Sequence, residues 1–328
     1  VTNSLSSGGA GTAFAVAGDD VTLYIPTDPV NDVGLLNEVS GQSGETLSTL
    51  SLGQGATKVV LSSTGATAYV NAEGYGGGHG GPNPVGQVMA VDTATLAVTG
   101  TITIRSGLTI NDIALSPDNT TLYVAVSCYS NETSCEQTGG ACPVLTGLCI
   151  FNANTLALEG AVEKLTGYLA VSQDNKSLYV TEYKGAAPAG FHVMNTSPLS
   201  VTTRDLPADP NEAAVLNPAA GFAVVFIPES SQSSTTAYIL NTSTNKFVGE
   251  LFVNAPYGAQ VGANGTVIPA AFAPDGKSLW MIMSCEGVLP SCTLPSQRSL
   301  VGVSFPSGAL IGSAVALPND ATSIAFPQ

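Results

Sequence analysis

The sequence predicts an all-β fold assembled from repeated four-stranded units, and three observations carry that prediction. Apolar runs break about every five to seven residues at Gly, Ser, Asn or Asp, a length that suits strands and leaves no run of about 18 apolar residues. The 328 residues hold 36 Gly and 20 Pro but only 10% charged side chains, the composition of many short strands joined by tight turns. One sequence word also recurs along the chain: a small apolar strand, a polar turn, then a strand ending in an aromatic and a β-branched residue.

In chain order the copies are AFAVAGDDVTLYI from Ala13 to Ile25, KVVLSSTGATAYV from Lys58 to Val70, and DIALSPDNTTLYV from Asp112 to Val124. They continue with YLAVSQDNKSLYV from Tyr168 to Val180, AAVLNPAAGFAVVF from Ala213 to Phe226, and PAAFAPDGKSLWM from Pro269 to Met281. The anchors Tyr24, Tyr69, Tyr123 and Tyr179 are roughly 45 to 56 residues apart, and Trp280 follows at about twice that across the weak fifth copy. Each copy is followed by a loop, a third strand such as VMAVD, LCIFN, FHVMN or AYILN, a short turn, and a fourth strand such as LAVTGTITI or KFVGELFV. Four strands per period describe one blade of a β-propeller, so the chain is expected to form a single domain over residues 1–328 with six antiparallel blades. The terminal ATSIAFPQ, residues 321–328, reads as a further innermost strand. Either this strand closes the ring beside the N-terminal blade, displacing residues 13–17 to another role and removing a free sheet edge, or a degenerate seventh blade is present. Six blades are favoured.

Charge excludes some partners. With 24 acidic and 9 basic side chains the net charge is −15, which argues against nucleic acid and anionic membranes. The 44% hydrophobic content excludes a disordered chain, and a soluble monomer is expected. The compartment is read from cysteine chemistry. Cys128, Cys135, Cys142, Cys149, Cys285 and Cys292 recur at seven-residue steps within two clusters, which favours local disulfides in an oxidising compartment over zinc, whose usual spacings differ. Spacing does not decide the pairing, but Cys128 and Cys285 follow equivalent segments, which favours Cys128–Cys135 and Cys285–Cys292 and leaves Cys142–Cys149. Glycosylation sequons stand at Asn119, Asn131, Asn175, Asn195, Asn241 and Asn264. Val1 begins no signal peptide, so the chain reads as a mature secreted form.

The words SPDNTTLYVAV, SQDNKSLYVTEY and APDGKSLWMIM are similar to the repeat of the YVTN and lactonase-like propellers, many of which fungi secrete. The resemblance spans nearly the whole chain but its motif is structural: Asp and Gly or Asn shape a turn, and an aromatic packs between blades. It implies the fold far more than an activity. The family includes lactonising enzymes and non-catalytic surface proteins, and neighbouring propeller groups include polysaccharide lyases.

The long loops, residues 72–86, 128–149 and 285–298, all join second to third strands and emerge on one face with the blade-to-blade connections, so that face is the expected site. Lys58, Arg105, Lys164, Lys184, Arg204 and Arg298 fall near it, whereas Lys176, Lys246 and Lys277 fall in opposite or outer turns. The six either focus positive potential in a cleft or pair with carboxylates. Aligned innermost strands put Lys58, Asp112, Tyr168, Ala213, Pro269 and Ser323 at equivalent positions, with Thr57, Asn111, Gly167, Glu212, Ile268 and Thr322 one step earlier. Such a mixed polar ring suits a ligand.

The chemistry expected there is a lyase acting on a uronate-containing glycan. Lys58, Arg105 and Lys164 would neutralise the carboxylate, and His79 or Tyr168 or Tyr183 would take the proton, with Tyr75 and Lys184 beside the substrate. A non-catalytic glycan- or protein-binding propeller, and a lactonase acting on a small carboxylated ligand, are the alternatives. His192, on a third strand, reads as a packed residue. No cofactor is required, although Asn111, Asp112 and Glu212 resemble the axial ligands of gluconolactonase-like propellers and imply a possible calcium ion.

Overall fold

A computed structural model describes residues 14–17, 21–27, 34–52, 55–74, 85–104, 107–128, 140–182, 190–205, 214–219, 221–228, 235–253, 270–284 and 298–317. The chain forms the six four-stranded antiparallel blades of a β-propeller. The first blade comprises β1 (Ala15–Val16), β2 (Thr22–Thr27), β3 (Leu35–Ser40) and β4 (Thr46–Ser51). The second comprises β5 (Gly55–Leu61), β6 (Thr67–Gly74), β7 (Val85–Asp92) and β8 (Ala97–Thr103). The third comprises β9 (Leu108–Leu115), β10 (Thr121–Cys128), β11 (Gly147–Asn152) and β12 (Leu158–Glu163), and the fourth β13 (Tyr168–Val171), β14 (Ser177–Glu182), β15 (Gly190–Thr196) and β16 (Leu199–Asp205). The fifth comprises β17 (Val215–Leu216), β18 (Phe222–Pro228), β19 (Thr235–Asn241) and β20 (Lys246–Val253), and the sixth β21 (Ala270–Phe272), β22 (Ser278–Ser284), β23 (Arg298–Ser304) and β24 (Val315–Leu317). Strands are paired in chain order within every blade. By contacts the chain divides into two compact units, Val1–Asn175 with Pro327–Gln328, and Lys176–Phe326.

The repeated word folds as its chemistry requires. In four blades the polar turn between first and second strands closes through an amide three residues on: Gly65 to Ser62, Asn119 to Ser116, Asn175 to Ser172 and Gly276 to Ala273, each at 2.8–3.0 Å. The closing residue has φ between 60° and 71°, which only Gly, and next best Asn or Asp, adopts without steric cost. The Ser116 hydroxyl, and then Thr120, bind the Asp118 carboxylate and hold it below its usual pKa. The turns between third and fourth strands are capped by Asp92, Asn152 and Asn241, whose side-chain oxygens accept the amides of Thr95, Thr155 and Thr244.

Between third and fourth strands the register slips by one residue after Glu38, Ala90, Ile150 and Ile239, the same place in four blades. These bulges add twist to the outer strand, and the composition of the strands did not announce them. Residues 15–16 pair with β2 as the innermost strand of the first blade, so they are not displaced to another role as closure by the C-terminal strand would have them. Residues 321–328, on which closure by both termini or a seventh blade would depend, lie outside the described residues.

Within the first unit, apolar side chains fill the layers between successive sheets: Tyr24, Leu36, Val59, Val70 and Val91 in one, Tyr69, Val88, Ile113, Val124 and Phe151 in the next. In the second unit the equivalent layers hold Phe226, Leu279 and Met281, and an aromatic run of Tyr179, Phe191 and Phe247. Tyr24, Tyr69, Tyr123 and Tyr179 are all buried, as the anchor reading requires. The Tyr69 hydroxyl donates to the Ala153 carbonyl at 2.9 Å, joining second and third blades.

Tyr123 supplies a test of this packing. Burial, followed by the charges of Asp118 and Glu159, pushes its phenol up to about 12 from an ordinary 10.0. The folded chain therefore keeps a proton that the unfolded chain loses, so this contribution is intact below pH 10 and is lost as pH rises through about 12. Replacing Tyr123 by Phe should flatten the fall in urea midpoint between about pH 9 and pH 11.5. An unchanged slope would show that alkaline sensitivity arises elsewhere.

Candidate functional site

The innermost strands β5, β9 and β13 carry the site within the first unit. In two of them a bulge falls at the same place. Ala56 pairs with Ala72 and Lys58 with Asn71, so the register steps past Thr57. Ile110 pairs with Val126 and Asp112 with Ala125, leaving Asn111 in the same position. Bulges re-aim side chains at sheet ends, and here each one is followed by a charged residue, Lys58 on β5 and Asp112 on β9.

Those two charges meet. The Lys58 ammonium is paired with the Asp112 carboxylate, with side chains 29% and 2% exposed. Asp112 Oδ1 also accepts the Ile113 amide at 2.9 Å, and Oδ2 accepts the Leu169 amide from β13 at 2.7 Å. The buried carboxylate thus ties three inner strands together, and the part-exposed ammonium keeps N–H donors beyond the one given to Asp112.

Amides surround this pair. Asn71, on β6 and 2% exposed, donates to Thr57 Oγ1 at 3.0 Å and to the Ile110 carbonyl at 3.4 Å. The Ile110 carbonyl can only accept, so the amide nitrogen belongs on that side. Asn71 Oδ1 then lacks a donor among the described residues, which in a buried group is a cost of about 1–3 kcal/mol. Asn111 Nδ2 donates to Thr166 Oγ1 at 2.6 Å, and Asn111 Oδ1 accepts the Ser127 hydroxyl at 2.9 Å.

The structure thus brings together Lys58, Asn111 and Asp112 among the expected site residues, and places Tyr168, half-buried, on β13 beside Leu169. Lys164 is exposed, at φ 59° in the turn between β12 and β13, with its amide bonded to the Thr146 carbonyl. Tyr75, His79, Arg105, Tyr183, Lys184 and Glu212 lie outside the described residues. Of the two readings of the cations, Lys58 follows the second: it pairs with a carboxylate. Asn71 and Ser127 were missed, although a polar residue amid the buried run AYV-N-A was a signal available for Asn71.

Of the three expected calcium ligands Glu212 lies outside the described residues, and the other two have their oxygens engaged. Asp112 has spent its oxygens on an ammonium and two amides, and Asn111 Oδ1 accepts a hydroxyl. No group of three His, Cys, Asp or Glu among the described residues is placed to hold a metal ion.

Cys142 and Cys149 form a disulfide with Cα atoms 5.8 Å apart, as expected, and both are buried. Cys128 is also disulfide-bonded; Cys135, Cys285 and Cys292 lie outside the described residues, as do the sequons at Asn131 and Asn264. Of the remaining sequons, Asn119 donates its amide to Ser63 Oγ at 2.6 Å and accepts the Ser63 amide at 2.7 Å, clasping second and third blades. Asn195 is exposed and donates to Ser200 Oγ, and Asn241 caps its turn. Among the described residues no helix is long and apolar enough to cross a membrane.

No family model matches the chain, and no curated protein matches it. Solved structures do. Hydrazine synthase of Kuenenia stuttgartiensis is similar at 14% identity and a TM-score of 0.60, over 92% of this chain and 78% of that one. A functionally unknown protein from Desulfotomaculum acetoxidans DSM 771 is similar at 12% identity and a TM-score of 0.65, over 98% and 90%. Dihydro-heme d1 dehydrogenase NirN, solved in complex with DHE, is similar at 9% identity and a TM-score of 0.53, over 93% and 66%. At such identities the likeness establishes the fold alone.

Proposed function

We propose that the chain is a glycan-binding β-propeller of an oxidising, extracellular compartment, taking a hydroxyl-rich ligand at the mouth of β5, β9 and β13. The observation that carries this reading is the Lys58–Asp112 pair: a buried carboxylate holding a part-exposed ammonium. The pair is neutral as a whole, so it selects by directed hydrogen bonds more than by charge, and Lys58, Asn111 and Thr166 offer the mixed donors and acceptors that sugar hydroxyls match. The buried Cys142–Cys149 disulfide and the disulfide-bonded Cys128 support the compartment. The similarity of the turn words to YVTN propellers sits with this reading, since that family includes non-catalytic surface proteins.

A uronate lyase asks more of the same mouth. It needs a cation given over to the substrate carboxylate, and Lys58 is already committed to Asp112. Uronate glycans therefore enter as acidic members of the ligand class, and cleavage is a separate outcome. Calorimetric titration with a panel of neutral and uronate oligosaccharides should find binding without turnover. Lys58→Met should weaken that binding at least about tenfold, the loss of one charge-assisted hydrogen bond. Unaltered binding by Lys58→Met, or no binding by the folded parent, overturns the reading. An unsaturated product absorbing at about 235 nm would replace it with the lyase.

A further inference from the structure

The fourth blade holds a second constellation, wholly within the second unit. On one face of β14, β15 and β16, Val180, His192 and Thr203 lie directly opposite one another, and Glu182 lies opposite Gly190. His192 is buried; its Nε2 stands 3.0 Å from Glu182 Oε2 and its Nδ1 2.9 Å from Thr203 Oγ1. Gly190 makes this geometry possible. A Cβ there would sit 2.5 Å from His192 Nε2 and 2.9 Å from Glu182 Oε2, so only glycine leaves room for the carboxylate to cross the strand to the imidazole.

The proton positions follow. An ionised carboxylate only accepts, so Nε2 carries the hydrogen and donates it to Glu182. In the neutral imidazole Nδ1 then holds the lone pair, and the Thr203 hydroxyl donates to it. This is a hydroxyl bonded to a neutral imidazole that a carboxylate orients from the opposite nitrogen, the arrangement that activates a nucleophile. Thr203 is exposed, unlike the base behind it. Two and four residues back on the same face of β16, Val201 and Leu199 are 41% and 51% exposed, an apolar strip extending about 13 Å from the hydroxyl at about 3.4 Å per residue. β16 is the outermost strand, so alternate backbone N–H groups point away from β15, and one stands at Thr203 or the residue beside it as a donor to an oxyanion.

We infer that Thr203, with His192 as base and Glu182 as the residue positioning it, is a nucleophilic site for esters with an apolar acyl group. Thr203 Oγ1 attacks the carbonyl carbon as its proton passes to His192 Nδ1. The ester C–O bond breaks, and the alcohol leaves with that proton. Water then adds to the acyl-threonine by the same route and releases the acid.

Thr49 is the comparator inside the same molecule: exposed, on the outermost strand β4, with its hydroxyl bonded at 2.9 Å to Asn37 Oδ1 in place of an imidazole. The intact chain treated with p-nitrophenyl acetate or p-nitrophenyl hexanoate, then acid-quenched and mapped by peptide mass spectrometry, should carry the acyl group at Thr203 about 100-fold faster than at Thr49. Hexanoate should outpace acetate. Glu182→Gln and Gly190→Ala should each bring the Thr203 rate close to that of Thr49, near-ultraviolet circular dichroism confirming the fold. Equal acylation of Thr203 and Thr49 in the parent overturns the inference, and so does a Thr203 rate unmoved by Glu182→Gln in the folded variant.

Discussion

Replacing Asp112 by Ala should cost about 3–5 kcal/mol of stability, the range expected when one partner of a buried ion pair is removed. The reason lies in what the carboxylate leaves behind. The amides of Ile113 and Leu169 lose their acceptor, and both residues are buried, at 0% and 4% exposure. Lys58 keeps its charge but, being part-exposed, can turn toward water, so most of the penalty sits on the amides. Asp112→Asn keeps one acceptor oxygen and should cost less than half as much. Chemical denaturation monitored by circular dichroism checks both. If Asp112→Ala fell below about 1 kcal/mol, water would have to reach the Leu169 amide, and the carboxylate would not be the tie between β5, β9 and β13.

That tie was only half legible in the sequence. Lys58 and Asp112 could be aligned because their repeat copies share a local turn, and turn chemistry is short-range: Asn119, Asn175 and Gly276 each close a turn at a φ that these residue types permit. The buried tyrosines were legible for the same reason, standing at a fixed distance after that turn. What crosses between strands was not. Whether Lys58 faces Asp112 depends on two bulges that shift each inner strand by one residue, and a one-residue slip reverses the face of every later side chain. The expected calcium site at Asn111, Asp112 and Glu212 depended on the same register, and at Asp112 the ladder delivers a lysine and two amides to the carboxylate oxygens. Thr203 was hidden more deeply. Its meeting with His192 rests on register across β15 and β16, and that of His192 with Glu182 on the absence of a single Cβ at position 190.

Gly147→Ala should be at least as damaging, above about 3 kcal/mol, although it adds one methyl group and removes no bond. Gly147 opens β11 opposite Glu163 of β12, two residues before the disulfide-bonded Cys149. A Cβ there would run into the Val162 carbonyl oxygen, with Glu163 Cα at 3.1 Å and the Lys164 amide nitrogen at 3.2 Å. All three are backbone atoms, so no rotamer change relieves the contact. The strand β12 must move, and two structures move with it: the pairing of Leu148 with Val162 and of Cys149 with Ala161, and the Lys164 amide bond to the Thr146 carbonyl. That last bond sets the turn leading through Thr166 and Leu169 into the mouth, where Thr166 receives Asn111 and Leu169 binds Asp112. Gly147→Ala should therefore lower the denaturation midpoint and also loosen glycan binding more than its distance from Lys58 would suggest. Gly302→Ala, in the sixth blade, is the control, because the nearest atoms to its Cβ belong to the half-buried Trp280 ring of the paired strand, at 2.9 Å, and not to backbone. Loss of stability by both variants with loss of binding by Gly147→Ala alone is the expected pattern; equal effects on binding would mean that the mouth responds to stability in general and not to the path through β12.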